Sequence, residues 1–229
     1  MRKTSARIIY KHFKCIAGKI AGPTGSGKTV LATQLVRQKH IVFNPIPHVV
    51  IWFYKRNQKI YSQLLREGSV NEFIEEQPQS ISHLKNILVR YPKQSKKILI
   101  LDDLMESVGG MVSELFTNFS HHYNTSVIFI TQNLFYQKNE FRTLSLNCHY
   151  VICMRNLRDQ SQIYKLAQQL RPAGSKCIVK MFKEATKKPH SYLLIDVHPS
   201  QIKTFQFRTN IFPTLKDLMV LYVPEDELF

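Results

Sequence analysis

Unbroken apolar runs mark the strands of this chain more clearly than alternation does. Val49–Tyr54 is wholly apolar or aromatic, Ile98–Leu101 follows two lysines, Val127–Ile130 follows Ser126, and Tyr150–Met154 stands alone. Short runs of β-branched and aromatic residues predict parallel strands buried on both faces. Phe13–Ile20 predicts another strand, in which Gly18-Lys19 marks a bulge or a late start. Between these runs the apolar positions take helical spacing. Val30–Arg37 is one such segment. Others are Ile60, Leu64 and Leu65; Ile81, Leu84, Ile87 and Leu88; Val112, Leu115, Phe116 and Phe119; and Ile163, Leu166, Ala167 and Leu170. Residues 67–80 are polar and read as surface. Ile178–Phe182 and Ser191–Asp196 read as a β-hairpin or meander joined by the basic loop 184–190. Alternating strands and helices give an α/β fold: a central, mainly parallel β-sheet flanked by helices, with a C-terminal β-hairpin or meander.

At 229 residues the chain has the size of one domain. The pattern divides it into a basic N-terminal arm (1–12, with Arg2, Lys3, Arg7 and Lys11), a core domain (13–213) and a C-terminal tail (214–229) carrying a small acidic patch. The 32 lysines and arginines exceed the 16 acids, for a formal charge of +16. A field of that sign favours polyanions, nucleic acid above all. The four cysteines form no Cys-x-x-Cys pair and read as reduced thiols of an intracellular protein. No apolar run reaches transmembrane length, so nothing in the sequence calls for a membrane.

The chemistry begins at Gly22-Pro23-Thr24-Gly25-Ser26-Gly27-Lys28-Thr29, a complete Gly-x-x-x-x-Gly-Lys-Thr loop between a strand and a helix. Its backbone N–H groups form an anion cradle at a helix N-terminus, Lys28 faces the β- and γ-phosphates, and Thr29 offers a hydroxyl to Mg²⁺. The run 98–101 ends in Asp102-Asp103, at the edge where open α/β sheets bind ligands. Asp102 is placed to hold Mg²⁺ and Asp103 to polarise the attacking water. The next run ends in Thr131-Gln132 on the same edge, where Gln132 can bond both a γ-phosphate oxygen and that water. A helix–strand unit lies between the acids and Gln132, so another strand should separate the acid-bearing strand from the loop-bearing one. That order marks the additional-strand class of P-loop NTPases. No Asn-Lys-x-Asp guanine-reading motif occurs, so ATP is the expected nucleotide.

Beyond these motifs, Leu115–Phe135 resembles the DNA-packaging ATPases of the HerA/FtsK superfamily, in particular the poxvirus-type branch found in Polinton/Maverick elements and adintovirus-like viruses. Arg142–Asn147, Asn156–Asp159, Ser191–Asp196 and Arg208–Pro213 resemble it in the same order. The resemblance implies a RecA-like core in a homo-oligomeric ring, a pentamer or hexamer, that hydrolyses ATP to drive double-stranded DNA into a preformed capsid. Capsid or portal-vertex proteins become expected partners. The expected location is the infected cell, at virion assembly sites or the nucleus, or the virion itself. It also implies Gln132 as a polar sensor and an arginine acting in a neighbour's site, with Arg142 and Arg158 as candidates. Many relatives carry Asp-Glu where this chain has Asp102-Asp103. A DNA helicase or conjugation-type DNA pump, and an ATP-gated DNA-binding maturation protein with little turnover, are the competing expectations.

Overall fold

A computed structural model describes residues 1–6, 13–14, 18–104, 111, 114–115, 122–135, 147–212 and 218–224. The strands are β1 (Arg2–Ala6), β2 (Phe13–Lys14), β3 (Gly18–Ala21), β4 (Phe43–Asn44), β5 (Val49–Tyr54), β6 (Glu72–Ile74), β7 (Lys97–Asp102), β8 (Thr125–Thr131), β9 (Tyr150–Met154), β10 (Tyr192–Asp196), β11 (Phe207–Thr209) and β12 (Met219–Val223). The helices are α1 (Lys28–Arg37), α2 (Lys39–Val42), α3 (Lys59–Arg66), α4 (Ile81–Leu88), α5 (Ser161–Leu170) and α6 (Ser175–Ala185).

Ten strands form one sheet in the order β1-β12-β11-β10-β9-β3-β8-β7-β5-β6. From β6 to β9 every pairing is parallel; from β9 to β1 every pairing is antiparallel. The fold is therefore a mainly parallel sheet with an antiparallel C-terminal meander, flanked by helices. As the motif order requires, β8 lies between the loop-bearing β3 and the acid-bearing β7. The late strand start is also found: β3 begins at Gly18.

The continuous apolar runs follow from coverage on both faces. In β5, Ile51 and Phe53 join Leu99, Leu101, Val127 and Phe129 beneath α4, α5 and α6. Val50 and Trp52 join Ile98, Ile100, Ile128 and Ile130 beneath α1 and α3. With both sides dry, apolar residues fill the strand interiors; of the buried polar exceptions before the carboxyl edge, Lys19 donates to the Leu134 carbonyl, and Lys97, Thr125 and Ser126 stand at the opposite ends of β7 and β8.

Four local readings need correction. Ile178–Phe182 is helical, not a strand. Ser175, Ile178, Met181, Phe182 and Ala185 are buried at three- and four-residue spacing, which outweighs the β-branched character of Ile178-Val179. In α3 the inner face is Tyr61 and Leu64, whereas Leu65 is 50% exposed. Within the polar segment 67–80, Glu72–Ile74 adds the edge strand β6. Finally, both flanks contribute strands to the sheet, across the division into arm, core domain and tail. Arg2–Ala6 pairs with Val223–Met219, and Phe207–Thr209 pairs with Tyr222–Val220.

The meander is tied by an ion pair with no solvent exposure on either side. Arg208 donates to Asp196 at 2.7 Å and also to the Phe205 carbonyl, and Gln201 donates to the same carboxylate. Among the described residues no helix is long and apolar enough to cross a membrane. Cys148, Cys153 and Cys177 are free thiols.

Removing one partner of a buried pair leaves the other charge uncompensated. Asp196→Ala is expected to lower the unfolding free energy by about 3–5 kcal/mol in urea titration. Truncating Glu67, which pairs with Arg37 at the surface, should leave the urea midpoint nearly unchanged.

Candidate active site

The site forms where β3, β8, β7 and β5 end together. Ala21 is level with Thr131, Asp102 with Ile130, and Tyr54 with Asp102. Above that line opens a cleft of about 660 Å³. Its walls include Thr24, Gly25, Gly27, Lys28 and Thr29 of the loop, Lys55 and Arg56 after β5, Tyr61, both acids, Gln132 and His190.

The loop's glycines answer to two different demands. Gly25 and Gly27 have φ of 78° and 95°, the left-handed region that side chains disfavour. Gly22 is required by space: a Cβ there would lie 2.6 Å from Met154 Cβ and 2.9 Å from Ser26 Oγ. The loop is thereby pressed against the end of β9. Lys28 Nζ donates to the carbonyls of Gly22 and Pro23 at 2.8 and 3.0 Å. Its pKa is pulled down by burial, against the opposing effect of Asp103 and Asp102. Ser26 Oγ is buried and has no hydrogen-bond partner among the described residues, which suits a cradle built for an anionic ligand.

Asp102 is the last residue of β7 and only 7% exposed. Its Oδ2 accepts from Tyr61 Oη at 3.0 Å and from Thr29 Oγ1 at 3.4 Å. Burial pushes its pKa up to about 6; the Tyr61 bond opposes the shift and nearby Asp103 adds to it. A buried carboxylate beside a hydroxyl, short of positive charge, is a donor set suited to a divalent cation. Asp103 follows the strand with φ 58°, in the left-handed region that Asp tolerates, and its N–H donates to the Ile130 carbonyl. This turn brings its carboxylate within 3.2 Å of Gln132 Nε2. Both side chains are exposed to the cleft.

The structure thus brings together Lys28, Thr29, Asp102, Asp103 and Gln132. Arg142 lies outside the described residues. Arg158 is exposed in the turn after β9 and does not line the cleft. Sequence reasoning missed Tyr61, which helical spacing alone would have placed one residue from Ile60 on the buried side. It also missed His190, whose Cβ and Nδ1 stand 3.3 Å from where a Gly27 side chain would begin. Only the fold brings residue 190 to residue 27.

Residues 12–138 match the family described as AAA domain. Among solved structures the chain is similar to the genome packaging NTPase B204 from Sulfolobus turreted icosahedral virus 2, solved in complex with ATP-gammaS. Identity is 13%, with 83% of this chain and 95% of that chain covered, at a TM-score of 0.53. It is also similar to the cytoplasmic domain of the Thermomonospora curvata type VII secretion ATPase EccC. There identity is 15%, with 90% of this chain and 25% of that chain covered, at a TM-score of 0.50. At these identities the likeness is one of fold. No curated protein matches the chain in sequence.

The raised pKa of Asp102 has a consequence for stability. Between about pH 4 and pH 6 the folded state binds this proton more tightly than the unfolded chain does, so stability falls as pH rises through that window. In metal-free buffer, Asp102→Asn is expected to be more stable than wild type by about 2–3 kcal/mol at pH 7.5. The difference should shrink towards zero near pH 4. Urea titrations at the two pH values check both the size and the sign.

Proposed function

The chain belongs to the AAA domain family and is a P-loop ATPase, and on that premise we propose that it is a motor of the HerA/FtsK type that moves double-stranded DNA into a preformed viral capsid. One observation carries the reading. Lys28 and Thr29 on one side, and the Asp103–Gln132 pair on the other, share a cleft formed by strands with β8 inserted between β3 and β7. The formal charge of +16 supports a polyanionic cargo. The similar fold of a protein described as a genome packaging NTPase supports the direction of use.

The loop's N–H groups and Lys28 bind the phosphates of ATP. Thr29 and Asp102 would hold Mg²⁺, which would supply charge neutralisation to the triphosphate. Asp103 accepts the proton of the attacking water. Gln132, tied to Asp103 by its amide NH₂, keeps its oxygen available to orient that water. An arginine from a neighbouring subunit completes the site, with Arg142 the first candidate and Arg158 the second. Ring assembly follows from that requirement, and capsid or portal-vertex proteins are the partners of the assembled form. Infected cells, at assembly sites or in the nucleus, are the place of action.

Substitutions at the site and DNA-stimulated turnover test this. Lys28→Ala should abolish ATP binding. Asp103→Asn should bind ATP with affinity close to wild type and lose about 10²–10⁴-fold in turnover. Duplex DNA should stimulate wild-type hydrolysis, with the stimulation falling steeply as salt rises. The motor reading fails if the assembled protein, saturated with duplex, turns over no faster than Lys28→Ala. For the arginine, mixing Arg142→Ala with Lys28→Ala subunits should restore part of the activity; the same mixture made with Arg158→Ala tests the second candidate.

A further inference from the structure

We infer that Tyr61 is a positioning residue for the cation site: by donating to Oδ2 of Asp102 it orients that carboxylate for the divalent ion that accompanies ATP. The inference rests on the reading of Thr29 and Asp102 as the residues that hold Mg²⁺.

The geometry is specific. Two hydroxyls, Tyr61 Oη at 3.0 Å and Thr29 Oγ1 at 3.4 Å, converge on the same oxygen, Oδ2. No hydrogen bond from a described residue reaches Oδ1. A carboxylate on a short side chain has one soft torsion at its end, and a bond to one oxygen fixes that torsion and leaves the other oxygen presented.

The donor itself is rigidly held. Tyr61 is 3% exposed. Its ring stacks on Phe73, with centroids 4.7 Å apart, and meets Tyr54 at 4.8 Å and Trp52 at 5.4 Å. Trp52 and Tyr54 belong to β5, whose last residue is level with Asp102. Phe73 comes from β6, so the edge strand serves the site by walling in this phenol. Packing alone would accept Phe at residue 61. The hydroxyl is the part that ring packing does not explain: it donates to Asp102, with the Trp52 indole N–H beside it. A side chain so confined is suited to hold a ligand-bearing group within the half ångström that ion coordination needs.

Tyr61→Phe keeps the ring and deletes the donor. Binding of ATPγS to wild type and variant is followed during a Mg²⁺ titration, and separately in EDTA. The expected result is a Mg²⁺ midpoint raised about 10-fold or more in the variant, with affinity in EDTA within about twofold of wild type. The midpoint does not depend on what fraction of a preparation is folded, so partial misfolding does not obscure it. An unchanged midpoint overturns the role of Tyr61, as does an equal loss of affinity with and without Mg²⁺. If wild type itself binds ATPγS no better with Mg²⁺ than in EDTA, the assignment of Thr29 and Asp102 fails, and the inference fails with it.

Discussion

The alignment of strand ends is the constraint on which the site depends. Four consecutive parallel strands finish within a residue of one another, so Gly22, Gln132, Asp103 and Lys55 leave the sheet at one level. Parallel pairing fixes that level through an evenly spaced ladder, and a slip of one residue would exchange the two faces of a strand. Here such a slip would move Asp102 from beside Thr29 to the opposite face. In runs apolar on both faces, side-chain shape against the two helical layers, rather than polarity, sets the register. The chemistry thus inherits its geometry from the core.

How much of this was legible follows from where each signal resides. The loop, the two acids and Gln132 are contiguous motifs at the ends of continuous runs, and each appears where its spacing placed it. The inserted β8 could be read because the order of motifs along the chain dictates the order of strands. The helix at Ser175–Ala185 was misread because Ile178-Val179 and Met181-Phe182 satisfy a strand pattern locally, while Ser175 and Ala185, needed to see the helical face, lie outside that window. β1 and β12 were missed for a different reason. Residues far apart in sequence pair at the sheet edge: Arg2–Ala6, with two exposed cations, carries no periodicity that announces a partner, whereas Met219–Val223 is a continuous apolar run that the tail reading passed over. Tyr61 and His190 belong to the same class, since their roles arise from contacts across the fold.

Asp102 shows how the fold accepts an unfavourable group at a useful place. A carboxylate with 7% exposure and a pKa pushed up to about 6 works against the stability of the metal-free protein at neutral pH. Two hydroxyls relieve part of that strain without supplying positive charge. A cation bound there would supply the rest, which links ligand binding to stability.

The same accounting of charge bears on the assembly. Two acids and one loop lysine line the phosphate end of the cleft, and ATP with one Mg²⁺ adds a further net negative charge. Lys55 and Arg56 face the cleft as well and, among the described residues, make no ion pair or hydrogen bond. They stand after β5, beyond the acids as seen from the loop, and so act on the far wall of the cleft. Charge that builds on the phosphoryl group during transfer needs a cation closer to the loop side. Within the described part of the chain that side offers Gln132 and His190 but no arginine or lysine other than Lys28. We propose that an arginine of a second subunit answers that shortage; on that proposal turnover depends on assembly even where binding does not.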